Sequence, residues 1–300
     1  MSERLLGLDL GGTNIKLSLL EPDGSSFRAI WVEQYHTEAW RGPEGVANNL
    51  IEAARSGLAR TGTVVSIGLG VPGLFDAGEG VIRLFPNLPG PWNGFPLRPL
   101  IEQALGVEIV MVNDARAFTL AEGTIGAGAG HDIVACLTLG TGIGGGIMIG
   151  GRLHLGAFGV AGELGHQIID PDGPICGCGN QGCVEALARA EVLAGLAGKK
   201  SAEEVYDSAS AGEEASLDAI EHVARALGIG LANVVTLIGP DRIVIGGGIV
   251  EAGDLILDPI RRAIRDRVTL VPGELIEVVP AVLGKWAGAH GAALAGRLSL

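Results

Sequence analysis

The segment Gly7-Leu-Asp-Leu-Gly-Gly-Thr-Asn-Ile-Lys16 decides the fold class of this chain of 300 residues. An apolar run enters a glycine turn and a second run leaves it, which predicts a β-hairpin with strands at 4–10 and 15–20. An apolar strand that ends in a glycine-rich turn recurs at 137–146 and at 243–248. The wide separations exclude a solenoid repeat and predict two related α/β lobes whose glycine loops converge on one cleft.

A single glycine loop is most often a plain turn, but three at matching strand ends favour phosphate binding. Glycine lets backbone N–H groups approach an anion closely. No GxxxxGK[ST] motif occurs, which excludes a Walker-type NTPase. Gly140-x-Gly142-x-x-Gly145 matches the dinucleotide fingerprint, and Glu163 lies near the expected acidic position. However, 146–151 predicts a second strand and a turn where a dinucleotide loop opens a helix, so we reject a dehydrogenase.

The rest of the chain alternates strand and helix patterns. Further strands are predicted at 64–69, 108–112, 133–139 and 241–245. Helices are predicted from Gly42 onward and at 115–125, 184–198, 214–236, 259–268 and 287–298. The proline-rich stretch 85–99 is predicted to be loop.

Composition limits the classes of function. Apolar residues make up 47% of the chain and charged residues 18%, which supplies a core and excludes disorder. The net charge of −13 argues against nucleic acid and anionic membranes as partners. It does not argue against ATP, because backbone N–H groups and Mg²⁺ can hold its phosphates. The N-terminus lacks a signal-peptide pattern and no run of 18 apolar residues occurs, so we expect a cytoplasmic protein.

Two aspartates stand at predicted strand ends. Asp9 lies beside Gly11-Gly12-Thr13, where a carboxylate suits Mg²⁺ held through water. Asp114 follows Asn113 before a predicted helix, where it could accept the proton of an attacking sugar hydroxyl. The alternative for both residues is helix or turn capping, which is common for aspartate, although Asp9 precedes no predicted helix.

Cys176, Cys178 and Cys183 cluster within eight residues, and His166 precedes them. Three thiolates and an imidazole complete a tetrahedral shell with no position left for water, so we predict a structural Zn²⁺. A zinc-bound histidine has its second ring nitrogen available for another partner, such as a sugar hydroxyl. Glu163 and Glu185 flank the cluster and would accept hydrogen bonds from neighbouring hydroxyls. Cys136, inside an apolar strand, is interpreted as a small core residue.

Together these motifs resemble the ROK family (repressors, open reading frames, kinases), and within it the bacterial glucokinase-like members. The matching segments follow the family order over nearly the whole chain: Asp9–Lys16, Gly70-Val-Pro-Gly73, Pro86-Asn-Leu88, Val112-Asn-Asp114, Leu139–Gly146, Gly162-Glu-Leu-Gly-His166, Cys176–Glu185 and Ile245-Gly-Gly-Gly248.

The resemblance implies an actin-like, ribonuclease-H-like pair of α/β lobes with mixed central sheets and a zinc-stabilised sugar loop. It implies a smaller lobe at 1–114 plus 287–300 and a larger lobe at 115–286, closing on sugar and nucleotide. Asp114 would be the catalytic base. Phosphates and Mg²⁺ would be held by Asp9, Gly11, Gly12, Thr13, Lys16, Gly140, Thr141 and Gly142, and adenosine by Gly246, Gly247 and Gly248. The sugar would be bound by Gly73, Asn87, Asn113, Asp114, Glu163, His166 and Glu185, and Zn²⁺ by His166, Cys176, Cys178 and Cys183.

The leading hypothesis is therefore ATP-dependent phosphorylation of glucose at its 6-hydroxyl. The rival within the class is a kinase for mannose, fructose, N-acetylglucosamine or N-acetylmannosamine, and polyphosphate is conceivable as donor. A sugar sensor without turnover is disfavoured, because it need not keep Asp114 and the phosphate loops. Repressor members carry a winged helix-turn-helix before the sugar domain. We expect none here, because the phosphate loop begins at Asp9. A homodimer or homotetramer is expected, since the family often forms them.

Overall fold

The computed structural model of the chain describes residues 4–61 and 66–297. The chain divides into two compact units, one formed by Met1–Ile125 with Lys285–Leu300 and the other by Gly126–Gly284. Each unit has its own hydrophobic core. The first boundary between the units thus falls after Ile125, whereas the family resemblance implied a boundary after Asp114. The reason is that the helix that begins at Asp114 packs within the first unit.

The first unit is built on a five-stranded mixed sheet with the strand order β3-β2-β1-β4-β7. Strands β3, β2 and β1 are antiparallel neighbours, whereas β1, β4 and β7 run parallel. A separate hairpin, β5-β6, adds a two-stranded sheet. The elements are β1 Leu5–Leu10, β2 Asn14–Asp23, β3 Ser26–His36, β4 Ser66–Val71, β5 Leu74–Asp76, β6 Val81–Leu84 and β7 Glu108–Asn113, with α1 Gly42–Thr61, α2 Leu97–Leu105 and α3 Asp114–Ile125.

The second unit repeats this plan with the strand order β10-β9-β8-β11-β12. Here too the first three strands are antiparallel neighbours and the last three run parallel. The shared order and directions confirm the prediction of two related α/β lobes with mixed sheets. The elements are β8 Ile133–Leu139, β9 Ile143–Ile149, β10 Arg152–Leu153, β11 Arg242–Gly246 and β12 Glu277–Pro280, with α4 Val184–Ala188, α5 Ala190–Leu196, α6 Ala202–Ser210, α7 Glu214–Ile238 and α8 Asp254–Arg265.

The chain returns to the first unit with the last helix, α9, at Ala287–Ala295. This helix lies against β1, β4 and α3. The approach is close: a Cβ added at Gly7 or Gly68 would overlap the backbone of Ala293 or Ala292. Glycine in these two strands therefore allows a helix to lie on the sheet at backbone distance.

Several elements differ from the sequence prediction. The edge strand β3 was missed because most of it is half-exposed, which weakens the apolar alternation. Helix α2 begins inside the stretch predicted as loop. Helix α8 begins at Asp254, and Pro259 lies inside it on the buried side instead of opening it. The predicted helix 184–198 is broken at Arg189, which is extended, so that the Ala190 N–H donates to the Gly140 carbonyl at 3.0 Å.

Helix α7 is long enough to cross a membrane and has a window of mean hydropathy 1.2. However, 61% of that window is buried inside the protein, and its apolar side forms much of the core of the second unit. We therefore interpret α7 as a core helix.

Candidate active site

The first glycine loop lies between β1 and β2. The Gly11 N–H donates to the Asn14 carbonyl at 2.9 Å, which closes the turn. Gly12 and Thr13 are exposed at its tip. In residues 4–61 and 66–297 no acceptor is found for their two N–H groups. Adjacent unpaired N–H groups on a glycine turn can form an anion-binding concavity.

Asp9 lies at the end of β1, directly before this loop. Lys16 is its partner across the β1–β2 ladder. Burial raises the pKa of the Asp9 carboxyl to about 6; nearby Lys16 opposes this rise, and the Asp114 carboxylate adds to it. Helix α9 contributes to this enclosure, since a Cβ at Gly288 would lie 2.5 Å from Asp9 Oδ2. A cation placed here would restore the ionised form of the carboxyl.

Asp114 is the first residue of α3 and is exposed. Its Oδ1 accepts the Ala115 N–H at 2.8 Å, and Oδ1 of Asn113 accepts the same N–H at 3.1 Å. Asn113 is therefore the N-cap, since its Oδ1 also accepts the Arg116 N–H at 3.4 Å, while the bond from Ala115 orients the Asp114 carboxylate at the exposed end of the helix. The Asn113 amide also donates to the Gly73 carbonyl at 3.3 Å, which joins two predicted sugar-binding residues.

Asn87 is exposed and lies beside the first glycine loop. A Cβ added at Gly12 would be 3.0 Å from the Asn87 carbonyl oxygen. Gly73 adopts a φ of +76°, and a Cβ there would overlap the Leu84 carbonyl. The first unit thus brings together Asp9, the glycine loop, Gly73, Asn87, Asn113 and Asp114.

The second glycine loop, at Gly140–Gly142, joins β8 to β9. The Gly140 N–H donates to the Gly142 carbonyl at 3.0 Å, and Ile143 begins an antiparallel strand. This strand confirms the rejection of a dinucleotide-type turn, which would open a helix. Glu185 lies against the loop: its Oε2 accepts the Ile143 N–H at 2.9 Å, and a Cβ at Gly142 would be 2.7 Å from that oxygen.

His166, Cys176, Cys178 and Cys183 have ligand atoms that all lie within 4.8 Å of one another. The Sγ atoms of Cys178 and Cys183 are 3.7 Å apart, and Cys176 Sγ is 3.6 Å from His166 Nδ1. Bond lengths of about 2.3 Å to sulfur and about 2.0–2.1 Å to nitrogen give tetrahedral edges of about 3.5–3.8 Å. The four residues therefore fit a structural zinc.

The thiols of this group differ in acidity. Burial raises the pKa of Cys176 to about 12 and raises the pKa of Cys183 as well. The Asn180 N–H lowers the pKa of the exposed Cys178 thiol. Such neutral, crowded thiols are of the kind that a cation converts to thiolates on binding.

Two residues predicted to bind the sugar, Glu163 and Glu185, contact members of this cluster. Glu163 accepts the His166 N–H through its carbonyl at 3.1 Å, and both belong to the short helical turn around Leu164–His166. Glu185 Oε1 is 3.4 Å from Cys176 Sγ. Because Nδ1 of His166 faces the cysteines, Nε2 is the nitrogen left for another partner. Glu185 thus joins the metal cluster to the second glycine loop, a link that sequence spacing did not predict.

A cavity of about 190 Å³ opens beside that loop, within the second unit. Gly247, which precedes the lining residue Gly248, has a φ of +92°, and a Cβ there would overlap the Leu139 backbone. Three residues of the lining were predicted from sequence to bind nucleotide: Gly140, Thr141 and Gly248. A wall from α6 was not predicted and is formed by Ala202, Glu203 and Tyr206.

Helix α6 carried a sequence signal that predicts the start of the helix, although not its place beside the cavity. Ser201 Oγ accepts the Glu204 N–H at 3.3 Å, and Glu204 Oε2 accepts the Lys200 N–H at 3.0 Å. A Ser-x-x-Glu sequence before an apolar run is the signature of such a capping box.

Known proteins of similar sequence and fold agree with this geometry. The model of a family described as the ROK family matches residues 5–297. The chain belongs to the ROK family. A glucokinase from Thermotoga maritima is 34% identical over 97% of this ROK chain and 96% of its own length.

Solved ROK structures show the same fold. A ROK hexokinase from Thermus thermophilus is 37% identical, with a TM-score of 0.84 over 98% of this chain and 97% of its own. A ROK glucokinase from Streptomyces griseus, solved in complex with glucose and AMPPNP, is 34% identical, with a TM-score of 0.78 over 98% of this chain and 99% of its own. The two-lobed ROK sugar-kinase fold is thereby confirmed.

Proposed function

We propose that this ROK protein is a glucokinase that transfers the γ-phosphoryl group of ATP to the 6-hydroxyl of glucose. The observation that carries the proposal is the pair of carboxylates in the first unit. Asp9 beside a loop with unpaired N–H groups and Asp114 at a helix start interact electrostatically. A relative that binds glucose and AMPPNP, similar over nearly the whole chain, supports the choice of sugar and nucleotide.

In this mechanism Asp114 accepts the proton of the sugar hydroxyl as that oxygen attacks phosphorus. Its hydrogen bond with Ala115 fixes the carboxylate, so that little reorganisation accompanies proton transfer. The N–H groups of Gly12 and Thr13 offset charge on the phosphoryl oxygens. Lys16, opposite Asp9 in the sheet, adds a positive charge at the same loop.

Mg²⁺ would supply further charge neutralisation on the phosphates, and Asp9 would hold it, through water. Gly140, Thr141 and Gly142 would bind phosphate in the second unit. The adenosine would lie in the cavity beside Gly246, Gly247 and Gly248.

The sugar contacts are proposed for Gly73, Asn87, Asn113 and Asp114 in the first unit and for Glu163, His166 and Glu185 in the second. Carboxylates and amides suit this task because each can orient the hydrogen bonds of a hydroxyl. Zn²⁺ bound by the His166–cysteine group would fix this loop, so that His166 presents Nε2 to the sugar.

The proposal includes a cytoplasmic location and a homodimer or homotetramer. Size-exclusion chromatography with light scattering measures the assembly directly. A monomer at all enzyme concentrations would contradict that part alone.

A coupled kinase assay with ATP and Mg²⁺ on a panel of hexoses and N-acetylhexosamines tests the function. We expect kcat/KM for glucose to exceed that for every other sugar. A preference for mannose, fructose or an N-acetylhexosamine would keep the mechanism and change the substrate. Polyphosphate in place of ATP tests the donor. Glucose binding without turnover would indicate a sensor instead.

A further inference from the structure

Thr37, between β3 and α1, contacts the first glycine loop from behind. Its side chain is fully buried although it is polar. The hydroxyl donates to the Gly11 carbonyl at 2.7 Å, and its N–H donates to the Thr13 carbonyl at 2.9 Å. One residue thus binds two carbonyl groups of a three-residue loop.

These contacts orient the loop peptides. In a trans peptide the C=O and the following N–H point in opposite directions across one plane. Since Thr37 holds the Gly11 carbonyl, the Gly12 N–H of the same peptide is turned away from Thr37. Gly12 N–H is one of the two donors that no group in the described part of the chain accepts. The contact therefore determines the face of the loop on which the Gly12 N–H lies.

Thr37 is itself held from the other side. Asn49 on α1 donates its amide to the Thr37 carbonyl at 3.1 Å and to Glu38 Oε2 at 3.2 Å. Arg41 donates to Glu38 and to Asn49, each at 2.9 Å.

Next to Thr37, Glu38 has a φ of +51°, the one positive value at a non-glycine residue in 4–61 and 66–297. A left-handed conformation at such a residue persists where the surroundings over-determine it, and it is most often found near functional sites.

We propose that Thr37 is a positioning residue for nucleotide binding, which turns the Gly12 N–H of the Gly11–Thr13 loop toward a phosphate. This rests on the proposed function, in that the bound anion is a nucleotide phosphate. Thr37 touches no reacting atom. Its effect is on the orientation of an N–H group that does.

The test compares Thr37→Val with Thr37→Ser in the full chain. Valine keeps the shape and removes the hydroxyl, whereas serine keeps the hydroxyl. Thr61→Val is the matched control, because Thr61 is also buried in the first unit and donates to a carbonyl, that of Leu58, at 3.0 Å. Each variant is assayed for the Kd of Mg·ADP by calorimetry, for KM of ATP and of glucose, and for Tm.

We expect Thr37→Val to raise the Kd of Mg·ADP and the KM of ATP by about tenfold, the scale of one lost oriented hydrogen bond. The KM of glucose should change by less than about twofold, a change too small for a lost hydrogen bond. Thr37→Ser should restore nucleotide affinity to near the wild-type value. Thr61→Val should lower Tm by about as much as Thr37→Val does, without raising the Kd of Mg·ADP.

Equal Mg·ADP affinity in Thr37→Val and wild type would overturn the inference, and so would equal losses for Thr37→Val and Thr61→Val. A wild-type protein that binds Mg·ADP but phosphorylates no sugar would refute the proposed kinase function. The calorimetric comparison would still decide the role of Thr37. A wild-type protein that binds no nucleotide would overturn both.

Discussion

At the scale of single residues, Asp114 has two duties that a sequence pattern presents as alternatives. It accepts the Ala115 N–H at the start of α3 and is the proposed base. Asn113 has a comparable double use, since its side-chain oxygen caps the helix through Ala115 and Arg116 and its amide binds the Gly73 carbonyl. Substitutions here must keep the cap if they are to report on chemistry.

Asp114→Asn meets that condition, because Asn113 keeps the N-cap and the new amide oxygen can still accept the Ala115 N–H. Without a carboxylate to accept the proton, we expect kcat to fall by about 10²–10⁴-fold, the usual contribution of a general base. Glucose affinity, measured by calorimetry, should remain within about twofold and Tm should be unchanged, because the cap is retained. A variant with near-normal kcat would remove Asp114 from its proposed role.

At Asp9, stability and the proposed function conflict, because metal binding needs the ionised carboxylate and burial destabilises that form. Its pKa of about 6 in the folded chain exceeds the ordinary 3.8 because burial penalises the charged form. Between these two pH values the folded state binds a proton that the unfolded state has lost. Stability from this group is therefore greatest at low pH and is lost as the pH rises through about 6.

We accordingly expect Asp9→Asn, in EDTA, to be more stable than the wild type at pH 8, by about 1–3 kcal/mol. The difference should shrink as the pH falls below 6. Urea titrations at a series of pH values measure it. The same variant should lose kinase activity. A difference independent of pH would show that the Asp9 carboxyl is not destabilised by burial.

At the scale of elements, the first and the second glycine loop are supported in the same way, by a hydrogen bond to a carbonyl, although the donors differ. The first glycine of each loop, Gly11 or Gly140, has its carbonyl held by a group from a later segment. In the first unit that group is the Thr37 hydroxyl, and in the second it is the Ala190 N–H at 3.0 Å. The break at Arg189 between α4 and α5 provides that N–H.

The cysteine loop, 167–183, lies outside the helices and strands. Two isolated bridges, Ile168 with Cys183 and Ile175 with Gln181, and several turn hydrogen bonds, such as that from the Cys176 N–H to the Asn180 carbonyl at 2.8 Å, pair its backbone. Bound zinc would link His166 to the three cysteines and, through Glu185, to the second glycine loop.

Cys178→Ser should therefore abolish zinc binding, as measured by metal analysis of the purified protein. It should raise the KM of glucose by about tenfold or more, the cost of disturbing a metal site. Cys136→Ala is the control, because Cys136 is buried in β8 and is no part of the metal cluster, so it should keep one zinc per chain. Zinc-free wild-type protein with full activity would refute the structural role of the metal.

At the scale of the whole molecule, the two units differ in how the chain builds them. The second unit is one continuous segment with its own core, whereas the first needs the returning α9. This helix covers the glycine positions of β1 and β4 and places the buried His290 Nδ1 at 2.7 Å from the Ser18 hydroxyl.

We expect residues 126–284, expressed alone, to fold cooperatively and bind one zinc, because all four ligands lie within that segment. Residues 1–125 alone should not fold, because loss of α9 exposes the faces of β1 and β4 that it covers. Thermal unfolding followed by circular dichroism, with metal analysis, measures both. A cooperative transition for 1–125 would show that α9 is dispensable.

Sequence alone was sufficient for the features that local chemistry determines. The glycine turns, the four-ligand metal group and the strand-end acids are short-range patterns, and the family order of motifs can be read directly along the chain. Glycine is the residue best suited to a positive φ or to close contact between backbone segments. Three thiols near a histidine are typical of a metal site. These patterns predicted two related lobes, and the structure confirmed them.

Tertiary structure decided what depends on distant partners. Thr37 lies 26 positions from Gly11, and no local pattern marks a buried threonine as a support for a loop. The break at Arg189, the wall of α6, the raised pKa of Asp9 and the link through Glu185 arise in the same way. Hydrogen bonds and burial depend on which segments meet in space, and a single sequence read along its length does not contain that information.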